Sequence, residues 1–109
     1  MKKRFFFLCL APLVLFSQKE TSSKAFDSIF YEIAINISSS NPIKALHLSD
    51  SLFINSKNEK QKLKSLMLTA DILAKQEKRG EAIMYAQQAL EIAIAEKDYN
   101  FKSRIYGFL

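Results

Sequence analysis

The sequence predicts an all-α fold in which antiparallel helix hairpins stack side by side. Three observations lead there. Apolar residues recur at spacings of three and four through successive stretches, the period of a helix with one buried face. Only two glycines and two prolines occur among the 109 residues, so few positions interrupt a helix. Within Arg79 to Ala95, the residues Ala82, Ala86, Ala89 and Ala93 form a narrow stripe of small side chains, with Ile83, Leu90 and Ile94 beside it as bulk. Such a stripe lets a neighbouring helix approach closely. A composition of 49% hydrophobic and 25% charged residues suits one small folded unit rather than a disordered tail.

Residues 1–17 read as a secretory signal peptide, not as part of the fold. Lys2, Lys3 and Arg4 give a basic start, Phe5 to Phe16 is an apolar run containing Pro12, and Ser17-Gln18 opens a polar stretch. The run is shorter than the ~20 residues a membrane-crossing helix needs. Cleavage is expected after Ser17, leaving an exported chain. Cys9 lies inside the leader, so the mature chain has no cysteine for a disulfide framework, a nucleophile or a metal site. The leader also carries much of the charge. Without Lys2, Lys3 and Arg4, the 16 basic residues become 13 against 11 acidic ones, and the net charge falls from +5 to +2. The basic balance therefore says little about nucleic acid.

Residues 18–23 read as a flexible entry. The first helix is expected over Lys24 to Ile37, with Phe26, Ile29, Phe30, Ile33 and Ile37 on its apolar face. The run Ser38-Ser39-Ser40-Asn41-Pro42 is expected to stop it. Asn41 can cap the next helix, and Pro42 suits its first position, where no amide hydrogen is needed. The second helix runs from Pro42 to Phe53 or Asn55, with Ile43, Leu46, Leu52 and Phe53 as bulk and Ala45 and Ser49 as small contacts. After a break over residues 54–58, a third helix is expected from Glu59 to Gln76. Its buried stripe is Leu63, Leu66, Met67, Ala70, Leu73 and Ala74. Lys78-Arg79-Gly80 reads as a tight turn into the fourth helix, which ends at Glu96 to Asn100. A fifth begins at Phe101, with Ile105, Tyr106 and Phe108 apolar and Gly107 a close helix contact. Short connections make neighbouring helices antiparallel. A lone hairpin buries one side of its helices, and stacked hairpins bury both.

An internal repeat supports the stacking. A slide of 37 positions brings Ala45 onto Ala82, Leu46 onto Ile83, Phe53 onto Leu90, Ile29 onto Leu66, Ile33 onto Ala70 and Ala70 onto Gly107. The turn Asn41-Pro42 falls near Lys78-Arg79 at the same offset. With Leu66, Ala70 and Leu73 in a first helix, and Ala82, Ala89 and Leu90 in a second, the segment resembles a tetratricopeptide repeat, a hairpin of about 34 residues. The family's signature tryptophan and closing proline are absent, and Ala86 replaces its usual aromatic.

The resemblance implies a right-handed solenoid built from repeat 1 (residues 24–58), repeat 2 (59–98) and the truncated start of a third (99–109), hence a fragment of a longer protein. It also implies a concave groove lined by the first helix of each unit. Here that stripe is Asp27, Tyr31, Ala34 and Ser38, then Lys64, Leu68, Asp71 and Lys75. Of these, Asp27, Tyr31, Lys64, Leu68, Asp71 and Lys75 are the expected contacts for a protein or peptide partner. The leader and repeats together resemble the periplasmic part of bacterial membrane-anchored regulators that carry a cytoplasmic helix-turn-helix domain. The sensor region of a histidine kinase and a free periplasmic scaffold are the alternatives. Contact with a membrane would come only through the leader or a downstream span.

No catalytic constellation accompanies this pattern, and the chain is expected not to be an enzyme. His47 is the single histidine, and no HExxH spacing or glycine-rich phosphate loop occurs, so no metal and no cofactor are expected. Glu77 and Glu81, like Glu91 and Glu96, read as carboxylates of solvated faces. Lys57, Lys60, Lys62 and Lys64 lack the interleaved aromatics or arginines of a nucleic-acid surface and read as a solvated loop and helix start.

Overall fold

The computed structural model describes residues 24–109. The leader, Cys9 within it and the entry segment 18–23 lie outside the described residues. Among the described residues every regular element is helical: α1 (residues 24–40), α2 (Pro42–Ile54), α3 (Glu59–Lys75), α4 (Arg79–Ala95) and α5 (Tyr99–Phe108). Each helix packs against its neighbours in the chain, and none is long and apolar enough to cross a membrane.

α1 departs most from expectation. It continues through the serine run to Ser40, because the Ser38 hydroxyl donates to the Ala34 carbonyl and that of Ser40 to the Asn36 carbonyl, both at 2.8 Å. These bonds occupy carbonyls one turn back and keep polar residues helical. The stop comes one residue later, at Asn41 (φ −146°, ψ 81°), where the Pro42 ring disfavours helical backbone. Residues Glu32–Ile37 adopt a π-helical winding. It inserts an extra residue into the turn. The buried residues Ile33 and Ser38 are accordingly five apart, one π turn, and the simple three-four phase fails. Phe26 and Ile33 are buried and Phe30 and Ile37 half-buried, but Ile29 points outward.

Three of the four remaining helices start at a side-chain cap; α4, preceded by Lys78, does not. Asn41 accepts from the Lys44 amide (3.2 Å), Asn58 from Gln61 (2.9 Å) and Asp98 from Phe101 (3.1 Å). On α2, Ala45, Ser49 and Leu52 are buried, whereas Ile43, expected as bulk, is 70% exposed. The turn into α4 is not Lys78-Arg79-Gly80: Gly80 is the second residue of α4, and the chain reverses over residues 76–78. There Glu77 takes a left-handed conformation (φ 63°), its amide donates to Ala74 (3.0 Å), and the Lys78 amide donates to Leu73 (2.9 Å). Those two bonds close the helix end as a Schellman motif. The next turn repeats it, with Lys97 at φ 55° and amides of Lys97 and Asp98 bonded to Ile94 and Ala93.

Two apolar clusters flank α3. Leu68 and Ile72 join Phe26, Ile33, Ala45 and Leu52 from α1 and α2. Leu63, Leu66 and Ala70 join Ala86, Ala89, Ala93, Phe101 and Ile105 from α4 and α5. A third, polar stripe on α3 is also buried: Gln61, Ser65 and Thr69. Thr69 donates to Ser49 of α2 (2.9 Å), which donates onward to the Leu46 carbonyl (3.0 Å). Buried hydroxyls are tolerated because each finds a partner.

The 37-residue offset holds between α2 and α4. Their first residues, Pro42 and Arg79, are 37 apart, and buried Ala45, Ser49 and Leu52 correspond to buried Ala82, Ala86 and Ala89. It does not carry α3 onto α5, whose first residues Glu59 and Tyr99 are 40 apart. Ala70 is fully buried while Gly107 is exposed, and a Cβ at Gly107 would meet nothing within 4 Å, so that glycine makes no close helix contact.

Candidate functional site

Short reversing turns alternate the helix directions, so α1, α3 and α5 run the same way, and ion pairs join them. Asp27, early in α1, lies 3.7 Å from Lys64 near the start of α3. Lys60, also near that start, lies 2.6 Å from Asp98, the cap of α5. Between these three helices runs a cleft of about 290 Å³. Phe30 and Tyr31 line it from α1, Lys64, Met67, Leu68 and Asp71 from α3, and Phe101 and Arg104 from α5. A smaller recess of about 200 Å³ continues it past Asp71 toward Phe108.

The aromatic rings fix its walls. Phe30 stacks on Phe26 at 6.2 Å between ring centroids and meets Tyr31 edge-on at 5.5 Å. Phe101 lies under two cations, the Lys60 ammonium at 4.6 Å and the Arg104 guanidinium at 4.8 Å. Tyr31 remains 59% exposed, its ring offered to the cleft. The Asp27–Lys64 pair is solvated at both ends and contributes at most about 1 kcal/mol.

Asp71 and Arg104 face the same cleft without an ion pair: among the described residues no Lys or Arg nitrogen comes within 4.0 Å of the Asp71 carboxylate. Partial burial between the helices pushes the Asp71 carboxyl above the usual aspartate range, and the nearby charges of Lys75 and Arg104 pull it back in part. Asp98 behaves in the opposite way. Hydrogen bonds from the Lys60 ammonium and the Phe101 amide hold it below the usual range.

Of the six residues expected to contact a partner, Tyr31, Lys64, Leu68 and Asp71 line the cleft, and Asp27 borders it through Lys64. Leu68 is only 4% exposed and belongs to the core beneath the cleft floor, so its contribution is to shape rather than to a free surface. Lys75 does not line the cleft; it lies one turn beyond Asp71 on α3. Ser38 is buried and bonded to its own helix. The stripe over 27–38 and 64–75 missed Phe30, Met67, Phe101 and Arg104. Phe30 and Met67 are 37 apart and fall within the offset that pairs Ile29 with Leu66, whereas Phe101 and Arg104 lie on α5, whose start that offset does not reproduce.

The cleft thus offers aromatic and thioether surface beside separate donor and acceptor groups, the means to hold a ligand by packing and hydrogen bonds. His47 stands elsewhere, exposed on α2. No family model, curated protein or solved structure matches the chain.

Proposed function

We propose that residues 24–109 form a noncatalytic interaction module whose α1–α3–α5 cleft takes an extended peptide of a partner protein. The observation that carries this reading is the shared cleft itself: three helices separated in sequence contribute to one trough, with exposed Tyr31, Asp71 and Arg104 along it. An extended backbone presents a donor and an acceptor at every residue. Asp71 and Arg104 offer the complementary pair, and Tyr31, Phe30 and Met67 offer packing for side chains. On this reading the helix pairs are units of a tetratricopeptide-like, right-handed solenoid, and the equal burial of α2 and α4 at an offset of 37 is in its favour. With the leader as an export signal, the module works on the periplasmic side, as the sensing part of a longer regulator.

The test is selection of peptide ligands on the immobilised chain, followed by titration against Tyr31→Ala combined with Arg104→Ala. Both positions are exposed, and circular dichroism checks that the helices persist. A tenfold or greater loss of affinity is expected; binding by the double variant as tight as by the parent would remove the groove assignment.

A further inference from the structure

A second cleft, of about 520 Å³, lies between α2 and α4 over α3 and shares no lining residue with the first. Its size is that of a small-ligand pocket. Leu46 and Leu73 give it apolar surface, and the Thr69 hydroxyl beside them is already committed to Ser49. Asp50 stands on the α2 side, and Glu81, Met84 and Tyr85 on the α4 side. No lysine or arginine lines it. Among the described residues, no Lys or Arg nitrogen comes within 4.0 Å of the Asp50 or Glu81 carboxylates. His47 and Gln88 complete the lining, and the His47 ring makes no ion pair with either carboxylate, so acidic groups outnumber basic ones in the cleft.

We propose that this cleft binds a small organic cation, with its ammonium or amidinium group held by Asp50 or Glu81 and its hydrocarbon body against Leu46, Leu73 and Met84. Charge-assisted hydrogen bonds to a carboxylate set the sign of the ligand. The Tyr85 ring adds attraction for a cation at its face, and the Met84 thioether adapts to an apolar body. At about 520 Å³ the cleft has room for one compact molecule, and its carboxylates select the charge of that molecule.

The experiment uses the full chain, with amide signals followed by NMR during titration with benzylamine, benzyl alcohol and a capped tripeptide with a central lysine. Benzylamine is expected to move the signals of Asp50, Glu81 and Tyr85. Benzyl alcohol, similar in shape but uncharged, is expected to bind at least tenfold more weakly. Asp50→Asn combined with Glu81→Gln, both at exposed positions, is expected to erase that preference while Tyr31→Ala leaves it intact. Equal binding of amine and alcohol to the parent chain overturns the proposal. So does unchanged amine binding by the double variant, signal movement confined to α1 and α5, or no movement up to the solubility limit. Tighter binding of the lysine tripeptide than of benzylamine would assign the cleft to a peptide and overturn the small-molecule source.

Discussion

The helices α2 and α4 occupy equivalent places, each the second member of a hairpin and each burying residues at the same phase, yet they close their seams differently. α4 offers only alanines: Ala82, Ala86, Ala89 and Ala93 are all fully buried. α2 offers Ala45, Ser49 and Leu52 at the first three matching positions. The alanine seam is filled mostly by its neighbours, with Leu63, Leu66, Phe101 and Ile105 supplying volume and half-buried Tyr85, Leu90 and Ile92 of α4 packing beside it. The α2 seam is filled from both sides, and its partner α1 winds through a π turn as it packs. Equivalent phase therefore does not mean interchangeable side chains. The two seams divide their bulk between the facing helices in different proportions.

Reciprocal substitutions test this division. Leu52→Ala should have the largest effect, a loss of about 3 kcal/mol by chemical denaturation, from a lost side chain and the cavity left behind. Ala89→Leu, the opposite change at the equivalent position, should lose about 2 kcal/mol because the close seam has no room for it. If Ala89→Leu were neutral, the α3–α4 contact would be looser than the full burial of these alanines implies.

The turns around α4 extend the comparison on a smaller scale. Asp98 caps α5 with its carboxylate and holds Lys60, whereas Lys78, at the corresponding place before α4, makes no side-chain cap. Asp98→Ala should lower the midpoint of thermal unfolding at pH 7 by more than Lys78→Ala does. Because the Asp98 pKa is depressed in the fold, its contribution is present above the ordinary aspartate pKa. It is lost as pH falls through the folded value, so the deficit of the variant should shrink in acid. Smallest is the expected gain from Glu77→Gly or Lys97→Gly. Each removes a Cβ from a left-handed backbone, which should raise stability by about 0.5 kcal/mol net of the greater freedom of glycine when unfolded. A loss in either variant would mean that the side chain makes a contact outweighing its backbone strain.

Much of this architecture was legible in the sequence because its signals are local. Asn41-Pro42 marks the start of α2, the alanine stripe marks the buried face of α4, and Ala45 and Ser49 mark close contacts on α2. The π winding was not legible, since Ile29, Ile33 and Ile37 satisfy an α-helical phase that the backbone does not keep. Nor was the true turn before α4. Gly80 seemed the natural site of a tight reversal, but the left-handed residue is Glu77, stabilised by hydrogen bonds to the preceding helix rather than by its own propensity. Leu68 and Ile72 were hidden for another reason. A single apolar stripe was sought on α3, and the helix carries two. Of the cleft, Tyr31, Lys64 and Asp71 follow from helical spacing, while Phe101 and Arg104 lie on α5, where the offset that aligns α2 with α4 no longer places the helix.

That double-sided character of α3 governs how the molecule comes apart. The α1–α2 cluster and the α4–α5 cluster meet on opposite flanks of the same rod, so loosening α3 exposes both. Removing the rod leaves α1 with α2, and α4 with α5, as separate pairs with bare apolar flanks. Separating the chain at either of the turns flanking α3 therefore leaves that helix with one of its two apolar flanks bare.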